Sequence, residues 1–170
     1  DRLAVAYRDD ADGPVPMTGD DLHYPIGPSS PFFAGRALDA GAFPSGGAGA
    51  SGTAVEFLRF LEALRRGGAP ILRQTSAAAI HKHAIGDLRA WTEGPGWGFG
   101  LGAAVLLDPA AAGSPLSPGT WQWGGILGGH WFVDPAQKLT VVILTNTSVA
   151  GVIGAFPAEI RDAIYGVSTG

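Results

Sequence analysis

The chain has 170 residues, 46% of them apolar and 15% charged, with a formal net charge of −4 and no cysteine. That is length enough for one domain with a sizeable core, and the composition excludes a disordered chain. Mild acidity without a basic run offers no nucleic-acid surface, and the lack of cysteine removes disulfides, thiolate metal sites and cysteine nucleophiles together. No apolar run reaches the roughly 18 residues of a membrane helix, so no membrane partner is expected. Asp1-Arg2 shows neither a starting Met nor a signal peptide, as if the start were cut, and the compartment stays open.

Leu3, Val5 and Tyr7 alternate with Ala4, Ala6 and Arg8, the period of a half-buried strand, and Asp12-Gly13-Pro14 supplies a turn after it. From Pro14 to Gly52 the chain is dense in Pro, Gly, Ser and Asp and reads as a long irregular excursion, with Phe32, Phe33 and Phe43 as anchors for packing. Thr53 and Glu56 then form a capping box that opens a helix with Phe57, Leu58, Phe60, Leu61 and Leu64 on its apolar face. Arg59, Arg65 and Arg66 are its solvated side, and Gly67-Gly68 stops it. A shorter helix is expected from about Thr75 to His83, ended by Gly86. The glycines spaced through Trp97–Leu107 favour a strand over a helix there. A loop over 108–118 precedes the stretch Gly119–Asn146, and a small-residue loop from Thr147 to Gly154 leads to a terminal helix carrying Ile160 and Ile164. Strands grouped apart from helices predict an α+β fold, an antiparallel sheet with packed helices.

Gly119–Asn146 reads as two antiparallel strands turning at Asp134-Pro135, with Gly124-Gly125 and Gly128-Gly129 interrupting the first arm. Glycine weakens a strand, so these pairs mark places where another backbone or a ligand comes close. They equally suit a twisted core hairpin in which glycine relieves crowding beside Trp121, Trp123 and Trp131.

Reacting groups are scarce. The histidines are His23, His81, His83 and His130, with no HExxH, and a helix would set His81 and His83 about 200° apart, so no metal is expected. The glycine-rich run before Thr53 lacks the Lys of a P-loop. The residues three before Lys82 and Lys138 are Ala79 and Pro135, which excludes SxxK. Ser45 and Ser51 read as turn or cap residues, and Asp9-Asp10 and Asp20-Asp21 as solvated turns. From the residues alone, the chain offers a pocket wall without a reacting group.

Three segments in order, GGAGASGTAVEFLRFLEALRRGG, GWGFGLGAAV and WGGILGGHWFVDPAQKLTVVILTN, resemble the carboxyl-terminal half of the serine β-lactamase and penicillin-binding-protein-like family. Within it they are most similar to the esterases related to class C β-lactamases, the family VIII carboxylesterases. The resemblance implies a β-lactamase/transpeptidase-like fold, chemistry through an acyl-enzyme without a cofactor, and a small-molecule ester or amide substrate. Trp123-Gly124-Gly125 falls where that family places its third motif, commonly Lys-Thr-Gly, on an edge strand beside the cleft. It implies Ile126 as a backbone oxyanion donor, Gly124 and Gly125 as the residues permitting close approach, and Trp123, Gly128 and His130 as substrate-binding candidates. Trp123 replaces a cation with an aromatic face. A substrate carboxylate then loses a contact worth about 1.5–3 kcal/mol, which favours uncharged esters over β-lactams or D-Ala-D-Ala peptides.

The family's SxxK and YxN motifs are absent; the sole asparagine, Asn146, follows Leu144 by two residues. The expectation is therefore that residues 1–170 are the carboxyl-terminal segment of a single β-lactamase-like domain. An amino-terminal portion, on the same or another chain, supplies the nucleophile and pairs with an open sheet edge. The alternatives are a noncatalytic binding protein that keeps this fold, and an unrelated small α+β binding domain with an aromatic groove.

Overall fold

The computed structural model describes residues 3–17, 38–47, 50–88, 93–152 and 154–167. Its centre is a five-stranded antiparallel sheet in which spatial order follows chain order: β3 (Trp97–Phe99), β4 (Ala104–Leu106), β5 (Trp121–Gly124), β6 (Gly129–Asp134) and β7 (Leu139–Leu144). A separate ribbon pairs β1 (Tyr7–Asp10) with β2 (Gly13–Pro16). The helices are α1 (Ala54–Arg65), α2 (Gln74–Ile80), the single turn α3 (Pro109–Ala112) and α4 (Phe156–Tyr165). The α+β expectation holds.

Each long apolar arm is in fact two strands. Trp97–Leu107 folds back through Gly100 and Gly102, pairing Phe99 with Ala104. A Cβ on Gly100 would strike the carbonyl oxygen of Ile80, and one on Gly102 would press on the Ile80 side chain, so both glycines admit the end of α2. The stretch Gly119–Asn146 carries three strands rather than two. It turns at Asp134-Pro135 as expected, and also between Gly125 and Gly128. At the amino end, residues 13–16 form the second arm of a hairpin rather than the start of a loop, and Leu3 and Val5 lie exposed ahead of β1. Phe43 is 75% exposed, while Phe32 and Phe33 lie outside the described residues.

The pleat divides the core between the two faces of the sheet. Val105, Trp121 and Val133 meet Leu61 and Leu64 of α1 on one face; Trp97, Ala104, Leu106 and Phe132 meet Leu116 and Tyr165 on the other. Burying Leu61 and Leu64 completely contributes about 1.5–3 kcal/mol each. The apolar face of α1 is wider than this contact: Val55, Leu58 and Phe60 remain exposed. On α4, Ile164 is exposed too, and the helix is fastened instead by Tyr165, whose hydroxyl donates to Asp134 Oδ2 at 2.7 Å. Asp134 is fully buried at the end of β6 and also accepts the N–H groups of Ser117 at 3.0 Å and Gln137 at 3.1 Å. Burial pushes its pKa up, but the Tyr165 hydroxyl and the two amides together hold the carboxyl below its ordinary value.

The helix α1 starts at its capping box, with the Thr53 side chain accepting from Glu56 N–H and the Glu56 carboxylate from Thr53 N–H at 3.0 Å. Arg65 departs from the solvated side: its guanidinium folds onto Glu62 through two bonds of 2.7 and 2.8 Å. Arg66 adds a third at 3.1 Å, and the hydroxyl of Thr140 on β7 donates to the same carboxylate. Glu62 therefore joins α1 to the sheet. The Arg65 bonds above all hold its pKa at about 2, against an ordinary 4.5.

Because the folded value lies below the unfolded one, this stabilisation is complete above about pH 4.5 and is lost as pH falls through about 2. Glu62→Gln should lower the urea midpoint at pH 7, and the gap from wild type should close on acidification across that window.

Candidate active site

The site is built on the end of β5. At its base the strand is paired on both sides, Trp121 with Val105 and Val133, and Gln122 with Ala104 and Phe132. Trp123 and Gly124 pair only with Trp131 and His130 of β6, beyond the reach of β4. The strand is thus interior at its start and an edge only at its tip, a refinement of the expected edge strand. The Trp123 ring meets Phe99 edge-on, with centroids 5.1 Å apart.

Past Gly124 the chain turns through Ile126, Leu127 and Gly128. Gly125 N–H donates to the Gly129 carbonyl at 2.6 Å and Gly128 N–H to the Gly125 carbonyl at 2.9 Å. This is a three-residue hairpin loop whose last position needs positive φ, and Gly128 supplies it at +104°. The peptide plane between Gly125 and Ile126 is thereby fixed. Its oxygen is held by Gly128, so the Ile126 N–H must point the opposite way, and it has no acceptor among the described residues. The Ile126 carbonyl accepts Val149 N–H at 2.7 Å and the Ser148 hydroxyl at 3.3 Å.

Those two bonds come from the segment 147–152, which runs directly over the hairpin. A Cβ on Gly124 would overlap the Gly151 carbonyl oxygen, and one on Gly151 would overlap the Gly129 carbonyl. One on Gly128 would strike Thr145 and Thr147. The backbone approach inferred at the glycine pairs is therefore met at Gly124 by the protein's own chain. Gly125 differs: a Cβ there makes only ordinary contact with Gly129, 3.7 Å away.

A cleft of about 250 Å³ opens between this end of the sheet and α4, and its lining includes Gln122, Trp123, Gly124, His130, Gly151 and Arg161. His130 is 7% exposed, and its Nδ1 lies 3.1 Å from the Gly151 carbonyl. Burial pushes its pKa down, the Gly151 bond opposes this, and the Arg161 charge lowers it further. Arg161 is held by its Nε on Asp162 Oδ1 at 2.7 Å. Glu93 also lines the cleft and accepts from Gln122 Nε2 at 2.6 Å.

Of the sequence-derived candidates, the structure gathers Trp123, Gly124 and His130 into this cleft, while Gly125, Ile126 and Gly128 form the adjoining turn outside its lining. Trp123 gives the strand an aromatic face without charge, but Arg161 and Glu93 bring charge to the cleft. No local pattern marks either residue. Arg161 could be found only by knowing where α4 docks. Among the described residues no cluster of side chains is arranged to hold a metal, and no helix of the described residues is long and apolar enough to cross a membrane.

Comparison with known proteins fits this geometry. A model of the β-lactamase family matches residues 2–161. The chain is 46% identical to esterase EstB of Burkholderia gladioli over 169 residues, covering 97% of this chain and 42% of EstB. It is 29% identical to protein Rv1367c of Mycobacterium tuberculosis over 116 residues, 61% of this chain and 29% of that protein. Among solved structures, EstCE1, a hydrolase with promiscuous acyltransferase activity, superposes with a TM-score of 0.85 at 45% identity, covering 96% of this chain and 43% of EstCE1. Unliganded simvastatin synthase LovD of Aspergillus terreus shares the fold, with a TM-score of 0.61 at 17% identity over 98% of this chain and 43% of LovD. The chain thus spans less than half the length of these relatives.

The glycine contacts separate two neighbouring substitutions. Gly124→Ala should lower stability by about 1–3 kcal/mol, because the Gly151 backbone must move. Gly125→Ala should stay within about 0.5 kcal/mol of wild type. Urea denaturation of both variants checks the contrast.

Proposed function

The chain belongs to the β-lactamase family, and from that premise we propose that it forms one wall of the cleft of a serine hydrolase with carboxylesterase activity. The observation that carries this reading is the Ile126 N–H, held in one orientation by the turn and left without an acceptor among the described residues. An amide in that state is a ready oxyanion donor, needing no rearrangement when charge develops on a carbonyl oxygen. It stands two residues from Gly124, which lines the cleft. Gly124, Gly125 and Gly128 shape the approach, and Trp123 and His130 bind substrate.

The nucleophile lies on a portion outside this chain, which has neither SxxK nor YxN. The serine oxygen of that portion bonds to the ester carbonyl carbon, its proton passes through a base to the departing alcohol, and the carbon–oxygen bond to that alcohol breaks. Water then cleaves the acyl-enzyme and restores the serine. The amino-terminal portion packs where this chain leaves surface for it: β7 ends the sheet without a further strand among the described residues, and Val55, Leu58 and Phe60 are exposed on α1. Residues 1–170 are, in this reading, the carboxyl-terminal segment of one domain.

A second reading, hydrolysis of a carboxylate-bearing amide such as a β-lactam, is favoured by Arg161, the cation lining the cleft where the strand itself has none.

Ile126→Pro tests the donor, because it removes the N–H at a turn position that accepts proline. In the complete polypeptide, p-nitrophenyl butyrate hydrolysis should fall by about 100- to 1,000-fold with folding retained. Unchanged turnover would rule Ile126 out. A fluorophosphonate probe should label the complete protein, and p-nitrophenyl esters should be hydrolysed faster than nitrocefin; the reverse order would favour the second reading.

A further inference from the structure

The ring of His130 offers more than a wall. It sits on β6 opposite Gly124, lines the cleft, and brings Nδ1 to within 3.1 Å of the Gly151 carbonyl oxygen. A carbonyl only accepts, so Nδ1 carries the proton of this bond, and in the neutral ring Nε2 is a bare lone pair. Nε2 has no hydrogen-bond partner among the described residues, yet it is not sealed from solvent as Trp121 Nε1 is. The accessible sliver of this otherwise buried side chain therefore includes an acceptor.

The surroundings keep it one. Arg161 lines the same cleft, and its charge opposes a second proton on the ring. Arg161 uses its Nε on Asp162, and its two terminal nitrogens have no partner among the described residues. The other charged group lining the cleft, Glu93, accepts from Gln122. The cleft thus presents a lone pair from the sheet and unspent guanidinium donors from α4. A hydroxyl matches both, because it donates through hydrogen and accepts through oxygen. An alkyl chain in the same place would strip water from Nε2 and return nothing.

We propose that His130 Nε2 is a specificity-determining acceptor that selects esters bearing a hydroxyl group, with Arg161 receiving the hydroxyl oxygen. The inference rests on the hydrolase reading above and deepens it. The hydroxyl can belong to the acyl chain or to the alcohol, and the test has an arm for each.

In the complete polypeptide, kcat/KM is compared for p-nitrophenyl 3-hydroxybutyrate against p-nitrophenyl butyrate, and for 2-hydroxyethyl butyrate against propyl butyrate. One pair should favour the hydroxylated ester by about tenfold or more. His130→Leu should collapse that ratio to about one, and His130→Gln, whose carboxamide oxygen can accept, should keep part of it. A purely structural histidine would lower both members of a pair equally and leave the ratio in place. That result, or a wild-type ratio near one in both pairs, overturns the proposal. If no ester is hydrolysed, the hydrolase reading has failed by itself. Recognition is then read from the ¹⁵N resonance of His130 Nε2 on adding 3-hydroxybutyramide or butyramide. A shift with the hydroxylated amide alone supports the proposal, and equal or absent shifts sink it.

Discussion

The contact on which this structure depends is one between main chains, made possible by side chains that are not there. The segment 147–152 lies against the β5–β6 hairpin so closely that a methyl group on Gly124, Gly128 or Gly151 would occupy another residue's backbone. With the surfaces that near, the amides can pair: Val149 N–H with the Ile126 carbonyl at 2.7 Å, and Thr145 N–H with the Gly128 carbonyl at 3.2 Å. This segment and the residue before it capture the amino-terminal ribbon through Ser148 N–H to the Tyr7 carbonyl at 2.6 Å and Tyr7 N–H to the Asn146 carbonyl at 2.7 Å. The Ile126 side chain packs on Ala6 and Met17 beneath this junction. Three parts of the chain that share no helix or large apolar contact are joined there by peptide groups, which hold position more sharply than side-chain packing does.

The sheet gives that junction a firm base and an open tip. The root of β5 is paired on both sides and roofed by Trp121, fully buried between His81, stacked at 5.4 Å, and Trp131, edge-on at 5.4 Å. Its tip is paired on one side only, where the cleft begins. A site built on the last residues of a rigid strand inherits the strand's precision while leaving room for a small molecule. On the far side, the buried Asp134 holds Tyr165 and so fixes the helix that brings Arg161 to the cleft.

What could be read in the sequence was whatever short-range chemistry decides. The helix α1 is legible because its cap, apolar spacing and glycine stop all lie within one segment, and the Asp134-Pro135 turn for the same reason. α3 carries equally local signals, Asp108 capping Ala110 and Ala111, Pro109 at its start and Gly113 at its end, yet in an alanine-rich loop they pass for a simple turn. Glycine in a strand is harder, because it serves both to turn the chain and to admit a neighbour. At Gly128 it does both, and no count along the sequence separates the two uses. The family resemblance groups Trp123, Gly124 and His130; the residue pattern sets them on one arm, whereas the adjacent strands β5 and β6 carry them. Arg161 reaches them only through a contact between Tyr165 and Asp134, 31 positions apart. Arg65 misled differently: its partner Glu62 stands one turn earlier on the same helix, and what the helical spacing does not reveal is the bond that joins Glu62 to Thr140 of β7.

The hairpin turn has one further implication, for how such a cleft can change over generations. What the turn holds ready at position 126 is a peptide N–H, which every residue but proline possesses. The glycines around it are constrained by geometry and the Ile126 side chain by its packing on Ala6 and Met17, whereas Leu127 is 37% exposed. Selection can therefore exchange the chemistry of Leu127 freely, and vary Ile126 among apolar residues, while the amide stays where it is. A protein arranged in this way can acquire new preferences without first giving up the group it relies on.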